Sequence, residues 1–352
     1  MNILFTSAGR RNYLVQYFKK TIGDSGTIHV ANSTPYSTAM KYGDQTVITP
    51  LISDKKYIPF LLEYCLQHQI DILIPLFDMD LPVLSKNKKR FEKIGVTVIV
   101  ASEEVIRICN DKWESFKFLQ WNGFRTPLTF LSIEEAKQAI WKGVIRFPVI
   151  LKPRWGAGSL SVYEAENEEE MELFYDKIKR KVHSRKVLDA LLHNEDNCVI
   201  IQQKLNGQEY GLDIINDLHG NHQTTIVKIK HAMRSGETDF AETVDEPRLE
   251  YAGMRLGRTL GHIANLDVDA FILEGVPYIL EMNGRFGGGY PFSHIAGTNL
   301  PEAIVRWVKG ERIKESLLKG KVGVLGYKEI LIQEETDQAS ILITNLGSGE
   351  KQ

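Results

Sequence analysis

Tyr278-Ile279-Leu280-Glu281-Met282-Asn283-Gly284-Arg285 is an apolar strand that ends in a carboxylate, an amide and a guanidinium at alternate positions. Successive side chains on a strand point to opposite faces, so Glu281, Asn283 and Arg285 are expected on one side. Hard oxygen ligands beside a fixed cation suit a polyphosphate bound with magnesium. The metal bridges phosphate oxygens and the arginine neutralises charge on the phosphoryl group in transfer. The stretch reads as one wall of a nucleotide site.

Upstream, Leu266-Asp267-Val268-Asp269-Ala270-Phe271-Ile272-Leu273 is a second strand, and Glu274-Gly275-Val276-Pro277 reads as the turn of an antiparallel hairpin. In such a hairpin Asp269 and Glu281 share a face and can hold a metal between them. Taken alone, the same residues also fit an exposed Glu281–Arg285 ion pair with Asp269 as an ordinary polar position on a half-buried strand. The rest of the chain bears on that choice.

With 352 residues, 43% hydrophobic and 25% charged, the chain is long enough for two or three globular domains with real cores. A net charge of −2 argues against a nucleic-acid binder that works through a broad basic footprint. The densest basic run, Lys86-Asn87-Lys88-Lys89-Arg90, reads as the solvated face of a helix. Cys65, Cys109 and Cys198 are far apart, odd in number and without metal-ligand spacing, which fits a reducing cytoplasm and no disulfide framework. The N-terminus runs straight into a buried-strand pattern rather than a leader, and no stretch approaches the roughly 20 apolar residues of a membrane span.

The first hundred residues alternate strand and helix. Strands are expected at residues 2–6, 28–31, 45–48, 70–75 and 96–101, with helices at 12–20 and 57–67. This alternation predicts a parallel sheet in a doubly wound, Rossmann-like domain, with ligand positions at the carboxyl ends of its strands. Ser7-Ala8-Gly9-Arg10-Arg11 lacks the three spaced glycines of the dinucleotide fingerprint. Arg10 and Arg11 at a helix N-terminus nevertheless make an anion site or simply exposed charges. Asp78 and Asp80 can orient an amine or hydroxyl of a substrate, or cap a helix.

The middle of the chain carries the strongest phosphate-binding signal. Phe147-Pro148-Val149-Ile150-Leu151-Lys152-Pro153 is a short strand ending in lysine, followed by Arg154-Trp155-Gly156-Ala157-Gly158-Ser159-Leu160-Ser161. Such a glycine loop can wrap its amides round a phosphate while Lys152 supplies a point charge. The lysine precedes the glycines, so this is not the Walker pattern. A plain hairpin turn would not need a lysine in a buried strand. Farther on, Lys228, Lys230, His231 and Arg234 form a cation cluster expected just after a strand at 224–229, suited to phosphates or an acceptor carboxylate. Met171, Phe174, Tyr175 and Ile178 form a helical stripe read as core.

In order, Lys112, Lys152, the glycine loop, Gln203-Lys204-Leu205, Glu209, Asp269, Glu281, Asn283 and Arg285 resemble the ATP-grasp superfamily, and most of all single-module proteins similar to one half of the carbamoyl-phosphate synthase large subunit. The similarity runs from the N-terminal domain to about Gly310. It implies an α/β chain, α+β in its C-terminal part, with a pre-ATP-grasp Rossmann-like domain at 1–108 and an ATP-grasp domain at 109–310. Within the latter it implies a lid at about 125–205 and a metal-binding part at about 206–310, with an extension at 311–352. By resemblance, Lys112 and Lys152 contact phosphate, and Gly156, Gly158 and Ser159 cover the triphosphate. Gln203 faces the adenine amino group, Lys204 and Leu205 supply backbone to the ring, and Glu209 holds the ribose. Asp269, Glu281 and Asn283 match the magnesium ligands. Arg285 matches the cation beside the γ-phosphate, with Lys230 and Arg234 as further catalytic cations. Two departures stand out: the adenine position is more often Glu than Gln, and Asp269 is shorter than the usual Glu or Gln.

The implied chemistry uses ATP with Mg2+, or Mn2+ in its place. A substrate carboxylate attacks the γ-phosphate to give an acylphosphate, which an amine then opens. No enzymic nucleophile is required, in keeping with the lack of a Ser-His-Asp or Cys-His constellation. The alternatives are a phosphotransferase that releases its phosphorylated product and a non-catalytic nucleotide sensor or subunit. Partners are expected to be small-molecule carboxylates and amines, with Arg10, Arg11 and Asp78 facing them. Residue types do not choose the substrate. The chain is compatible with a homodimer, and a strand at 323–332 is expected to complete a sheet or an interface, with a less ordered tail from Glu334.

Overall fold

Ile3, Leu4 and Phe5 of β1 (Asn2–Thr6) have no solvent exposure, and neither do Ile28 and Val30 of β2 (Ile28–Asn32) or Ile72 and Leu73 of β4 (Ile70–Pro75). Unbroken apolar runs of this kind belong to strands covered on both faces. In the computed structural model, which describes residues 1–156, 158, 161–183 and 197–332, these strands lie in a five-stranded parallel sheet of order β3-β2-β1-β4-β5. β3 is Gln45–Ile48, and β5 shrinks to Thr97–Val98 from the longer strand expected there. The helices α1 (Asn12–Ile22), α2 (Tyr57–Gln67) and α3 (Asp80–Glu92) connect the strands. The basic run 86–90 lies on α3, as expected.

This first unit comprises Met1–Val100 with Asn299–Leu317 and the described residues from Lys328 on. The returning helix Leu300–Val308 packs on α1. The sheet order changes direction at β1, whose neighbours are β2 and β4, so the carboxyl ends of β1 and β4 form the switch point at which open sheets bind ligands.

The second unit, Ala101–Thr298 with Leu318–Tyr327, begins earlier than residue 109 because α4 (Glu103–Asn110) and α5 (Lys112–Trp121) pack together and against a strand of this unit. A small antiparallel sheet of order β6-β9-β7-β8 contains β6 (Thr129–Phe130), β7 (Val149–Pro153), β8 (Tyr163–Ala165) and β9 (Val199–Gln203). α6 (Ile133–Trp141) and α7 (Glu168–His183) share its core. Met171 and Ile178 are fully buried there, with Phe174 and Tyr175 packed beside them, so the helical stripe is core.

The larger sheet is antiparallel. It contains β10 (Glu209–Asn216), β11 (His222–Arg234), β12 (Glu237–Thr243), β13 (Ala264–Leu273), β14 (Val276–Asn283) and β15 (Leu325–Tyr327), in the order β14-β13-β10-β11-β12-β15. α8 (Pro247–Leu260) packs on β10 and β11, with proline in its first turn and left-handed Gly261 at its end. The strand expected at 323–332 is only three residues long and closes the sheet edge against β12. The tail from Glu334 lies outside the described residues. Among the described residues, no helix is long and apolar enough to cross a membrane.

Asp80, read from sequence as a substrate-orienting group or a helix cap, instead ties three elements of the first unit together. Its fully buried carboxylate accepts hydrogen bonds from Thr6 Oγ1 at 2.6 Å, Tyr57 OH at 2.8 Å and Ser7 Oγ at 3.1 Å. Burial pushes its pKa up to about 6, against the pull of the three hydroxyls. An acid whose pKa rises on folding holds its proton more tightly in the native state. Its stabilising effect is therefore full below about pH 4 and lost as pH climbs through about 6. Asp80→Asn is expected to remove that decline, on the order of 3 kcal/mol for a shift of this size. Urea denaturation of both proteins across this range checks it, and parallel pH profiles would count against it.

Candidate active site

The hairpin expected around Glu274 forms between β13 and β14, with Glu274 and Gly275 alone as the turn, both at positive φ (50° and 80°). Asp269 pairs directly with Glu281, and Asp267 with Asn283. The register slips between Asp269 and Ala270, leaving Leu280 as an extra residue on β14. Ile279 and Met282 are therefore both buried although three positions apart, and Glu281 is released from the face it would share with Ile279 in a regular strand. Arg285 lies just beyond the strand. Its Nη1 meets Asp267 Oδ2 at 2.9 Å and donates to the Phe286 carbonyl at 3.2 Å. Asp267 was missed from sequence, although its spacing of two from Asp269 is the signal that would have found it.

Glu281 also receives two lysines. Lys112 Nζ stands 3.7 Å from its Oε1 and Lys152 Nζ 3.8 Å from its Oε2. Lys152 is buried at the end of β7, and desolvation lowers its pKa even though Glu281 and Asp269 favour the charged form. Lys112 opens α5 and donates to the Gly156 carbonyl at 2.7 Å. Gly156 and Gly158 take positive φ, and Gly158 lies against Gly236 at the turn between β11 and β12. Ser159 lies outside the described residues.

The cation cluster differs from its sequence reading, because β11 runs on through Arg234 instead of stopping at 229. Lys228 is buried and ion-paired with fully buried Asp213, and it donates to Ser293 Oγ at 3.0 Å, so it is part of the core and not a phosphate contact. Lys230 reaches across β10 to Glu209 at 2.7 Å and to Asp269 on β13. Its path crosses Gly211, where an added Cβ would lie 3.1 Å from the lysine Cε. Burial pulls the Lys230 pKa down, but Asp269 and Glu209 outweigh it and hold the ammonium above its usual range. Burial raises Asp269, Lys230 opposes this, and Asp267, Glu209 and Glu281 push it up further. Arg234 pairs with Asp239 across its own hairpin, and the His231 ring lies tilted against Phe240 with Glu242 3.5 Å away.

The adenine and ribose candidates line the exit of β9 and the start of β10. Gln203 donates its backbone N–H to the Leu128 carbonyl at 2.8 Å, and its Oε1 accepts the Leu128 N–H at 3.3 Å. Lys204 pairs with Glu164, and Leu205 is buried. Glu209 opens β10 and belongs to the Lys230 cluster. In the first unit, Arg10 is exposed, Arg11 Nη1 donates to the Leu76 carbonyl, and Asp78 is buried. These three residues follow β1 and β4 at the switch point.

Asp269, Glu281 and Asn283 offer two carboxylates and an amide on facing strand positions. This hard-oxygen set fits magnesium, which keeps few protein ligands and completes its shell with phosphate and water. Among the described residues, no group of three or more His, Cys, Asp or Glu side chains is placed to hold a metal alone.

Residues 109–289 match the family model of the ATP-grasp domain, and residues 3–99 that of the PylC-like N-terminal domain. D-alanine–D-alanine ligase A of Bacillus cereus is 22% identical over 247 residues, covering 62% of this chain and 74% of that protein. The carbamoyl phosphate synthase large chain of Agathobacter rectalis is 23% identical over 236 residues, which make up 63% of this chain but 20% of the larger protein. Among solved structures, a Campylobacter jejuni biotin carboxylase in a β-γ-ATP complex superposes with a TM-score of 0.72 at 18% identity, over 91% of this chain and 73% of that one. This last likeness is one of fold.

Gly287 lets the chain turn tightly beside the hairpin, since an added Cβ would fall 2.1 Å from the Asp267 carboxylate. Gly287→Ala is expected to displace Asp267 from Arg285 and to cost about 1–3 kcal/mol of stability. Chemical denaturation checks this, and an unchanged midpoint would show that the carboxylate has room to move.

Proposed function

The chain belongs to the ATP-grasp family, and from that premise we propose that it is a Mg-ATP-dependent carboxylate–amine ligase that works through an acylphosphate. The observation that carries this reading is Glu281, a metal-type carboxylate within 4 Å of two phosphate-type lysines and directly opposite Asp269.

In this reading Lys112 and Lys152 bind oxygens of the triphosphate, and Gly156, Gly158 and Ser159 cover it. Asp269, Glu281 and Asn283 would hold magnesium, which would neutralise charge on the phosphates. Lys230 keeps Asp269 and Glu209 in place from below and screens their mutual repulsion. Arg285, oriented by Asp267, and Arg234 serve the phosphoryl group and the acyl acceptor. Gln203, Lys204, Leu205 and Glu209 receive adenine and ribose. A carboxylate oxygen of the substrate attacks the γ-phosphorus, and the bridging P–O bond breaks to release ADP. The amine nitrogen then attacks the acyl carbon and phosphate departs. The acylphosphate is prone to hydrolysis, so a cover over the site is essential, and the small sheet with its glycine loop supplies one. Arg10, Arg11 and Asp78 are the proposed substrate contacts of the first unit. The three buried thiols support a cytoplasmic setting.

The test is phosphate release from Mg-ATP with pooled carboxylates and amines, repeated with hydroxylamine as the only amine. Release that depends on both pools, with hydroxamate forming in the trap, is expected. EDTA should abolish it, and Mg2+ or Mn2+ should restore it. Glu281→Gln should lower turnover by about 100-fold or more, the scale seen when one group that stabilises transition-state charge is removed. A stable phosphorylated product formed without amine would make the protein a phosphotransferase. Tight ATP binding with no turnover would make it a sensor.

A further inference from the structure

We propose that Asp111 and Arg154 form a positioning pair that sets Lys112 and Lys152 for phosphate, so that the pair governs affinity for the nucleotide's phosphates through those lysines; this rests on the ATP-dependent reading above. The two ammonium groups are held less than 4 Å from the same carboxylate, an arrangement in which like charges repel and which therefore needs an anchor. Asp111 and Arg154 are that anchor, because each is attached to one of the lysine-bearing segments.

Asp111 immediately precedes Lys112 and caps α5, its Oδ1 accepting from the N–H groups of Trp113 at 3.0 Å and Glu114 at 3.3 Å. The same carboxylate takes Arg154 in a two-point fork, Nε to Oδ1 at 2.8 Å and Nη2 to Oδ2 at 2.7 Å. Arg154 lies two residues past Lys152, and its carbonyl accepts the Lys112 N–H at 3.1 Å. Its guanidinium stacks over Trp155 at 4.5 Å, with Glu114 Oε1 a further 3.9 Å contact. The side chains of Arg154 and Asp111 are only 13% and 10% exposed, so water and salt screen the pair poorly. Together with the Lys112 bond to Gly156, these contacts fasten the start of α5 to the end of β7 and to the first glycine of the loop. A bidentate guanidinium–carboxylate pair fixes direction as well as distance, which a lysine at position 154 would not do.

The experiment is calorimetric titration of ADP and of AMP into the wild-type protein and into Asp111→Asn, Arg154→Ala, Arg154→Lys and the Asp111→Asn/Arg154→Ala double variant. Asparagine caps a helix as well as aspartate does, so Asp111→Asn removes the charge pair while keeping α5 capped. Each single variant is expected to lose about tenfold in ADP affinity, with the double variant no weaker than the worse single, as for two residues acting as one unit. AMP affinity should hold, because AMP lacks the phosphates the lysines serve. Arg154→Lys should recover only part of the loss. Equal losses for ADP and AMP would reduce the pair to general scaffolding and overturn the proposal. So would additive losses, or a loss confined to Arg154→Ala, which would mean that Arg154 acts alone. Should Arg154→Ala fail to fold, Asp111→Asn and Arg154→Lys decide by the same ADP-against-AMP contrast. Wild-type protein that binds neither nucleotide would overturn the ATP-dependent reading along with it.

Discussion

Glu281 and Asp269 face each other across one rung of a hairpin, and everything else at the site answers the repulsion between them. Four carboxylates, those of Glu209, Asp267, Asp269 and Glu281, are interleaved with four cations, those of Lys112, Lys152, Lys230 and Arg285. No charge in the group is remote from one of opposite sign. In the proposed function such a balance suits a ligand that is itself a paired anion and metal, because its phosphates and its cation would each find groups that can leave their present partners. A bare anion or a bare metal would upset the balance.

That balance depends on backbone devices. The extra residue Leu280 turns Glu281 away from the face of Ile279, and the two-residue turn at Glu274 and Gly275 fixes which strand positions meet. The α4–α5 corner brings Lys112 to the end of β7 from a distant part of the chain. Small changes of register would therefore be felt as changes of charge pairing, since one residue of slippage turns a side chain to the other face.

The parallel sheet of the first unit was legible because its strands are continuous apolar runs separated by helices of obvious period. The hairpin was legible from two strands and a turn signal. Within the candidate site, Lys152 and Glu281 stand out in the sequence as charged residues toward the end of an apolar strand, and Asp269 as a carboxylate inside one. What could not be read depends on tertiary pairing. Lys228 and Lys230 look alike in sequence, yet one is locked beside Asp213 in the core and the other reaches Asp269, and only the sheet order separates them. Asp111 caps α5, but its second role needs Arg154, forty-three residues away, which no local pattern reveals. From sequence β11 ends at 229 because the cations beyond it read as ligand-facing, whereas the strand runs on to Arg234 and the stems of Lys228 and Lys230 lie near Gly211 of the neighbouring strand.

Gly211 sits in the middle of the large sheet with Lys228 on one side and Asp269 on the other. The stem of Lys230 passes over it to join β11 to β13, strands that are not hydrogen-bonded to each other. A position with no side chain is thus where Lys230 crosses β10. Anyone adapting this scaffold to a different acid or amine can vary the surfaces that meet the substrate, but position 211 must stay bare, because what the site uses there is room.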